Sequence, residues 1–453
     1  MQTMPFQAIV LAAGKGTRMK SATPKVLHRV AGLSMLGHVL RLAQQSGCEA
    51  PVVVAGPGMD DVAKEARRHA PKSNVFIQAE QRGTADAVLA ARSAISAHQG
   101  DTIVLYADTP LIRSETIARL KHALDAGAGV AVLGFHAADP AGYGRLITAN
   151  DGALLSIRED REASEEERKI TLCNSGVLAF RCPDLLSILD AIGNANAKGE
   201  YYLTDAVEIA RDRGLRAAVV VCTENEVLGV NARDQLADAE AIWQRRRRSA
   251  VMADGATLIA PMTVWFSHDT VIGRDVVIEP NVFFGPGVSV EDGAEIKANC
   301  HIEGARIGKG ARIGPFARLR PGANLGADVH IGNFVEVKNV AMAAGAKANH
   351  LAYLGDGTVG AKANIGAGTI FCNYDGFNKS MTNIGDGAFV GSNASLVAPV
   401  RIGAGAFIGS GSVITKDVPD NALALERNTQ EMREGWADKF RTLMARRKAA
   451  NAS

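Results

Sequence analysis

Cysteine is scarce in this chain: six among 453 residues, at positions 48, 173, 182, 222, 300 and 372, with no C-x-x-C pair. That scatter argues against a disulfide framework and against a zinc site, and it fits a reduced, cytoplasmic setting. An excess of either charge is also lacking. The net charge is +2 and charged residues make up 22%, so long-range electrostatics select neither a nucleic-acid nor a membrane partner. No apolar run reaches the roughly 18 residues of a transmembrane helix, and no membrane span is expected. The opening stretch MQTMPFQAIVLAAG has no basic region ahead of its short apolar run. It reads as a first strand, not a signal peptide.

What the chain has is a repeat. An apolar residue returns every six positions, at Ile272, Ile278, Phe284, Val290, Ile296 and Ile302. The phase slips by one and resumes from Ile307 through Ile313, Leu319, Leu325 and Ile331 to Val337. It returns at Val359, Ile365 and Phe371, and again from Ile384 to Ile414. Neither a helix nor a flat strand pair has this period. A parallel β-helix does: each hexad is one short strand and a tight turn, with the apolar residue inward. The repeat is interrupted near 344–358 and 372–383, and loops that break a rigid repeat are natural places for chemistry. It stops after Ile414. The polar tail from Asp420 onward is expected to be partly without a fixed fold.

The first ~230 residues read differently, as alternating strands and helices. Strands are predicted at Ala8–Ala12, Val52–Ala55, Val75–Gln78, Ile103–Tyr106 and Val130–Phe135, with helices such as Thr84–Ile95 and Ser114–Ala126 between them. The pattern implies an α/β domain with a largely parallel sheet. Between the two regions, residues 235–251 form a polar helical stretch. Its run Arg245–Arg248 reads as a solvated helix face.

The first strand leads into Leu11-Ala12-Ala13-Gly14-Lys15-Gly16-Thr17-Arg18-Met19, followed by Pro24-Lys25. A Gly-rich turn after a strand lets backbone N–H groups approach phosphates. Met19 stands where a dinucleotide fingerprint needs its third glycine, and no Walker A ending is present. The segment resembles the nucleotidyltransferase family that joins NTPs to sugar 1-phosphates. That resemblance makes Leu11, Ala12, Ala13 and Gly14 nucleotide contacts, and Arg18 and Lys25 catalytic cations. It extends to Gln78, Gly83 and Thr84 on the nucleotide side, and to Tyr106-Ala107-Asp108 at a strand end. On the sugar side it takes in Gly144, Glu159 and Asn174. Asp108 and Asn231 are the implied Mg²⁺ ligands, and oxygen donors suit that metal. The chain departs from the family in having Ala107 before the aspartate and Ala85-Asp86 after Gly83-Thr84.

The hexad region resembles left-handed hexapeptide acyltransferases, which use acyl-CoA and form trimers. The combination of both regions resembles the bacterial bifunctional N-acetylglucosamine-1-phosphate uridylyltransferase and glucosamine-1-phosphate acetyltransferase family. The implied layout is a Rossmann-like nucleotidyltransferase domain over 1–233, a linker helix over 234–254, and a left-handed parallel β-helix with a tail over 255–453. By the same resemblance His350 is the general base of acetyl transfer. Arg320, Lys338, Tyr353, Asn364 and Lys379 bind glucosamine 1-phosphate, while Asn373, Tyr374, Ser392, Ser410 and Arg427 contact acetyl-CoA. UTP and N-acetylglucosamine 1-phosphate are the substrates of the first domain, and the product feeds cell-wall precursors. A homotrimer with no nucleic-acid or membrane partner is expected. The competing reading is a single-activity sugar nucleotidyltransferase whose β-helix only assembles or regulates.

Overall fold

A computed structural model describes residues 6–196 and 198–451. The chain divides into two compact units: Met1–Ala250 with Phe266–His268, and Val251–Trp265 with Asp269–Ser453. The division falls inside one long helix, Arg233–Ala253.

The first unit is a three-layer α/β domain. Its sheet contains β1 (Gln7–Ala12), β2 (Val52–Ala55), β3 (Asn74–Ile77), β4 (Thr102–Tyr106), β5 (Val130–His136), β6 (Arg145–Thr148), β7 (Leu154–Arg158), β8 (Leu172–Phe180) and β9 (Ala217–Cys222). The main order is β9-β5-β8-β4-β1-β2-β3. Every residue of β1 is buried, as a central parallel strand covered on both faces requires. One face packs on helices Met35–Gln45, Asp60–His69 and Ser114–Asp125 through Leu40, Val62 and Leu120. The other packs on Thr84–Leu89, Leu185–Asp190 and Ala206–Asp212 through Val88, Ile188 and Ala206.

The sheet is more mixed than its sequence pattern implies. Strand β8 runs antiparallel to both β4 and β5, and β6 and β7 form an antiparallel pair beside it. The helix expected over Thr84–Ile95 is two, Thr84–Leu89 and Arg92–Ala97. The Ala91 N–H bonds to the Val88 carbonyl three residues back, and this tighter turn bends the axis.

The second unit is a left-handed parallel β-helix. Each coil contributes three short strands, and inward residues stack on their equivalents: Ile278 on Ile296, Ile296 on Ile313, Ile313 on Ile331. The phase slip after Ile302 is a coil one residue short, with Ser289 pairing to Arg306. Two expectations are corrected. The stretch 344–358 is no loop: strands Lys347–His350 and Tyr353–Val359 carry the ladders through it. Buried Ala348 stacks between Ile331 and Ile365, so the inward position is kept by a residue too small to register as a hexad. Nor does the helix end at Ile414, because Leu423–Ala424 pairs with Phe407–Ile408. The tail then forms an exposed helix, Trp436–Ala450. The break at 372–383 is a real excursion, closed by a Tyr374–Lys379 bridge, with Phe377 91% exposed at its tip.

Candidate functional sites

The loop after β1 opens a cleft of about 530 Å³ beyond the carboxyl ends of the central strands, where ligands of such sheets bind. Leu11, Ala12, Ala13, Gly14, Lys25, Gln78, Gly83, Thr84, Tyr106, Asp108, Gly144, Glu159 and Asn174 all line it. Gly16 closes the loop with φ +60, and a Cβ there would lie 2.5 Å from Lys25 Cβ. Only glycine permits both that backbone and that approach.

Three residues far apart in sequence meet at one point. The Lys25 ammonium donates to Asp108 Oδ2 at 2.5 Å and to Asn231 Oδ1 at 2.9 Å. Strand β4 delivers Asp108, and the Val230 N–H holds the Asp108 carbonyl at 2.9 Å. The two side-chain oxygens therefore lie within reach of a single cation. A donor set of two oxygens suits Mg²⁺, which keeps most of its shell for water and substrate phosphates. Among the described residues no group of three His, Cys, Asp or Glu side chains could cage a metal by itself.

On the sugar side, the Asn174 N–H bonds the Gly144 carbonyl at 2.7 Å. Glu159 accepts from Thr204 Oγ at 3.2 Å, and burial raises its carboxyl above the ordinary range. The Tyr106 phenol is also raised, by burial and then by Asp108. On the nucleotide side, Gln78 Nε2 donates to Asp86 Oδ2 at 2.9 Å and to the Gly83 carbonyl at 3.1 Å. Asp86, a departure from the family pattern, is thus the residue that orients Gln78. Two of the expected residues do not line the cleft. Ala107 is fully buried beneath the cleft with its N–H on the Leu11 carbonyl. Arg18 is solvent-exposed on the short turn after the loop.

In the β-helix, one corner carries His350. Its Nδ1 lies 2.7 Å from Asn333 Oδ1, one coil below. The same corner continues upward: the Gly368 N–H bonds the His350 carbonyl and the Gly411 N–H bonds the Ser392 carbonyl. Arg427 then donates to the Ser410 carbonyl at 3.0 Å. Asn333, His350, Ser392 and Ser410 therefore stack along one edge. Asn364 lies on the next coil of the same ladder, paired with Lys347 at the start of the strand that ends in His350.

The remaining sugar-phosphate candidates gather on the next face. Glu336 pairs in register with Tyr353 and takes a 2.8 Å bond from Arg320. Lys379 reaches over from the excursion to Lys338, whose proximity lowers its ammonium pKa. Two cations brought together suit an anion. Under them lies Asp356, missed in the sequence. It accepts from Asn339 at 2.7 Å and Asn373 at 2.5 Å, with Lys338 at 3.9 Å. Although burial pushes its carboxyl up, those hydrogen bonds hold it below the usual range. Asn373 is thus 7% exposed and tied inward, whereas Tyr374 is exposed and bonds the Gly376 carbonyl. Asn333 was missed too. Only its place one coil before the histidine marks it. Among the described residues no hydrogen bond or ion pair joins His350 to Lys338 or Lys379.

Known proteins agree with this division. A MobA-like NTP transferase domain matches residues 8–170. The bacterial transferase hexapeptide family, described as six repeats, matches 269–304, 304–339 and 381–416. "Bifunctional protein GlmU" of Azorhizobium caulinodans is 60% identical over 97% of this chain and 98% of its own. That of Xanthobacter autotrophicus is 58% identical over 99% and 100%. That of Rhodopseudomonas palustris strain BisB5 is 55% identical over the full length of both. With this identity sustained end to end, across a nucleotidyltransferase unit and a hexapeptide β-helix, the chain belongs to the GlmU family of bifunctional uridylyl- and acetyltransferases.

Proposed function

We propose that the chain makes UDP-N-acetylglucosamine in two steps at two sites. In the β-helix, the amine of glucosamine 1-phosphate attacks the acetyl-CoA thioester, His350 takes the amine proton, and CoA leaves. Asn333 holds the imidazole so that Nε2 is the free base. Arg320, Lys338 and Lys379 receive the sugar phosphate, with Tyr353 beside them. Asn364 lies between sugar and thioester, and Asn373, Tyr374, Ser392, Ser410 and Arg427 hold the CoA.

In the first unit, a phosphate oxygen of N-acetylglucosamine 1-phosphate attacks the α-phosphorus of UTP, and its bond to pyrophosphate breaks. Mg²⁺ held by Asp108 and Asn231 would offset the charge of the phosphates. Lys25 and Arg18 neutralise what develops during transfer, so catalysis is positioning and electrostatics. Glu159, Asn174 and Gly144 position the sugar; Gln78, oriented by Asp86, faces the base.

What supports this reading over a single-activity enzyme is the 2.7 Å His350–Asn333 pair, together with Lys338 and Lys379 brought close to one another on the same β-helix. A β-helix that only assembles subunits needs neither. A homotrimer is supported by apolar side chains left on the coil surface, including the stacked and half-exposed pairs Phe316–Phe334 and Phe389–Phe407. Cytoplasmic residence is supported by six free cysteines and by the substrates themselves.

The test mixes the protein with glucosamine 1-phosphate, acetyl-CoA, UTP and Mg²⁺ and reads products by mass spectrometry. UDP-N-acetylglucosamine, free CoA and pyrophosphate are expected. No CoA release, with pyrophosphate appearing only once N-acetylglucosamine 1-phosphate is added, would favour the single-activity enzyme.

A further inference from the structure

The arginine run of the long helix is not the solvated face its sequence suggests. Arg245 is exposed, but Arg248 is only 4% exposed, and Arg246 and Arg247 turn into a second cavity of the first unit. This cavity holds about 410 Å³ and shares no lining residue with the catalytic cleft. Arg41 and Arg113 join Arg246 and Arg247 on its walls, against one carboxylate, Glu115. Arg246 spends its donors on two neutral carbonyls, Leu111 at 2.6 Å and Asn225 at 3.1 Å. Among the described residues Arg41, Arg113 and Glu115 make no ion pair. Burial, and then Arg113, disfavour the charged form of Arg246. Arg41, Arg113 and Arg246 around one concavity whose lining has a single carboxylate, with no ion pair among the described residues, is an arrangement that folding alone does not favour, because like charges repel.

The cavity has two further features. Helix Ser114–Asp125 points its N-terminus into it, and Arg113 at the cap position makes no side-chain cap. Free N–H groups and the positive end of the helix dipole both favour an anion there. Trp243 and His38 also line it, edge to face with ring centroids 6.4 Å apart, which puts an indole next to the charges.

We infer that this cavity is a second anion site, built for a diphosphate group and separate from the catalytic cleft. Guanidinium forks match phosphate oxygens in pairs. The volume is too large for a lone phosphate and leaves room for a nucleoside beside Trp243. The segment between the sites is short: Pro110 and Leu111 line the cavity, two and three residues after Asp108.

Trp243 is one of three tryptophans, and the other two, Trp265 and Trp436, belong to the second unit. Its fluorescence therefore reports this cavity. The experiment titrates the full chain with inorganic pyrophosphate, and separately with a nucleoside diphosphate, in a metal chelator. A saturable change is expected, absent in Trp243→Phe and kept in Lys25→Ala. In the Arg41→Gln/Arg113→Gln double variant the dissociation constant should rise at least ~10-fold, as loss of two charge-assisted contacts requires. Equal affinity for both ligands would mean that the phosphates alone are read; tighter nucleoside diphosphate would add stacking on Trp243. No saturable change, or one abolished by Lys25→Ala and untouched by the arginine changes, would overturn the inference. Because Lys25 belongs only to the first cleft, failure here leaves the catalytic reading standing.

Discussion

The Lys25 ammonium sits 2.5 Å from the Asp108 carboxylate, and both side chains are largely withdrawn from water. Asn231 completes the contact at 2.9 Å. A lysine so placed both holds the aspartate in position and supplies positive charge where phosphates are expected. Lys25→Ala should therefore lower uridylyl transfer by at least ~100-fold, the scale of losing one preorganised electrostatic contact. It should also destabilise the first unit by about 1–3 kcal/mol, the cost of leaving a half-buried charge without its partner. Acetyl transfer by the same preparation serves as the control. Parallel loss of both activities in a folded protein would argue against independent sites.

His350→Ala should reduce acetyl transfer by about 10²–10⁴-fold, the usual contribution of a general base, and leave uridylyl transfer intact. Asn333→Ala keeps the imidazole but removes the 2.7 Å partner that orients it. A smaller loss, about tenfold, is expected in kcat with little change in KM. An unchanged rate in Asn333→Ala would show that the pair is structural.

Asp356 is the buried hub of the second site, held by Asn339 and Asn373 and facing Lys338. Asp356→Ala leaves two amide donors unpaired and one lysine without its anchor. An effective loss of about 1–3 kcal/mol corresponds to a KM for glucosamine 1-phosphate raised about 10–100-fold. Initial-rate kinetics over a range of sugar phosphate would read it. An effect confined to acetyl-CoA would place Asp356 in the other half of the site.

Gly332 packs against the next coil so closely that a Cβ would run into the Asn349 carbonyl. These are the neighbours of Asn333 and His350. Gly332→Ala should force the two coils apart there and cut acetyl transfer by about tenfold or more, as a displacement near 1 Å can. Uridylyl transfer is the internal reference. Full acetyl transfer in the variant would mean that the coils absorb the methyl group elsewhere.

Asp205 gives a pH prediction. Burial pushes its carboxyl from 3.8 up to about 6, with Glu208 adding to it. The folded state thus favours the protonated acid. That stabilisation is full below the unfolded value of 3.8 and is lost as pH rises through 6. Asp205→Asn mimics the neutral form at every pH. Denaturant melts should show little difference between variant and parent near the acid end of that window, and a more stable variant above it. A constant offset at all pH values would sink the assignment.

Much of this was legible in the chain itself. The hexads announced the β-helix because each inward residue meets its own equivalent one coil away, so the pattern is written locally. The loop Leu11–Met19 was legible because a strand, a glycine turn and nearby cations lie within a few residues. The break at 344–358 misled, since Ala348 fills the inward position with too little apolar bulk to be counted. Asp356 and Asn333 were overlooked for a related reason: their partners sit a whole coil away.

The sequence by itself determined the two kinds of domain and the class of chemistry in each, because periodicity and short motifs depend on neighbours in the chain. Only the tertiary structure decided which of those residues meet. Lys25 finds Asp108 across 83 positions and Asn231 across 206. Arg18, from the same motif, stays in solvent. The run Arg245–Arg248 divides between solvent, cavity and core according to which helix face packs against the sheet domain. Such meetings depend on how layers and coils close on one another, and no local pattern encodes that.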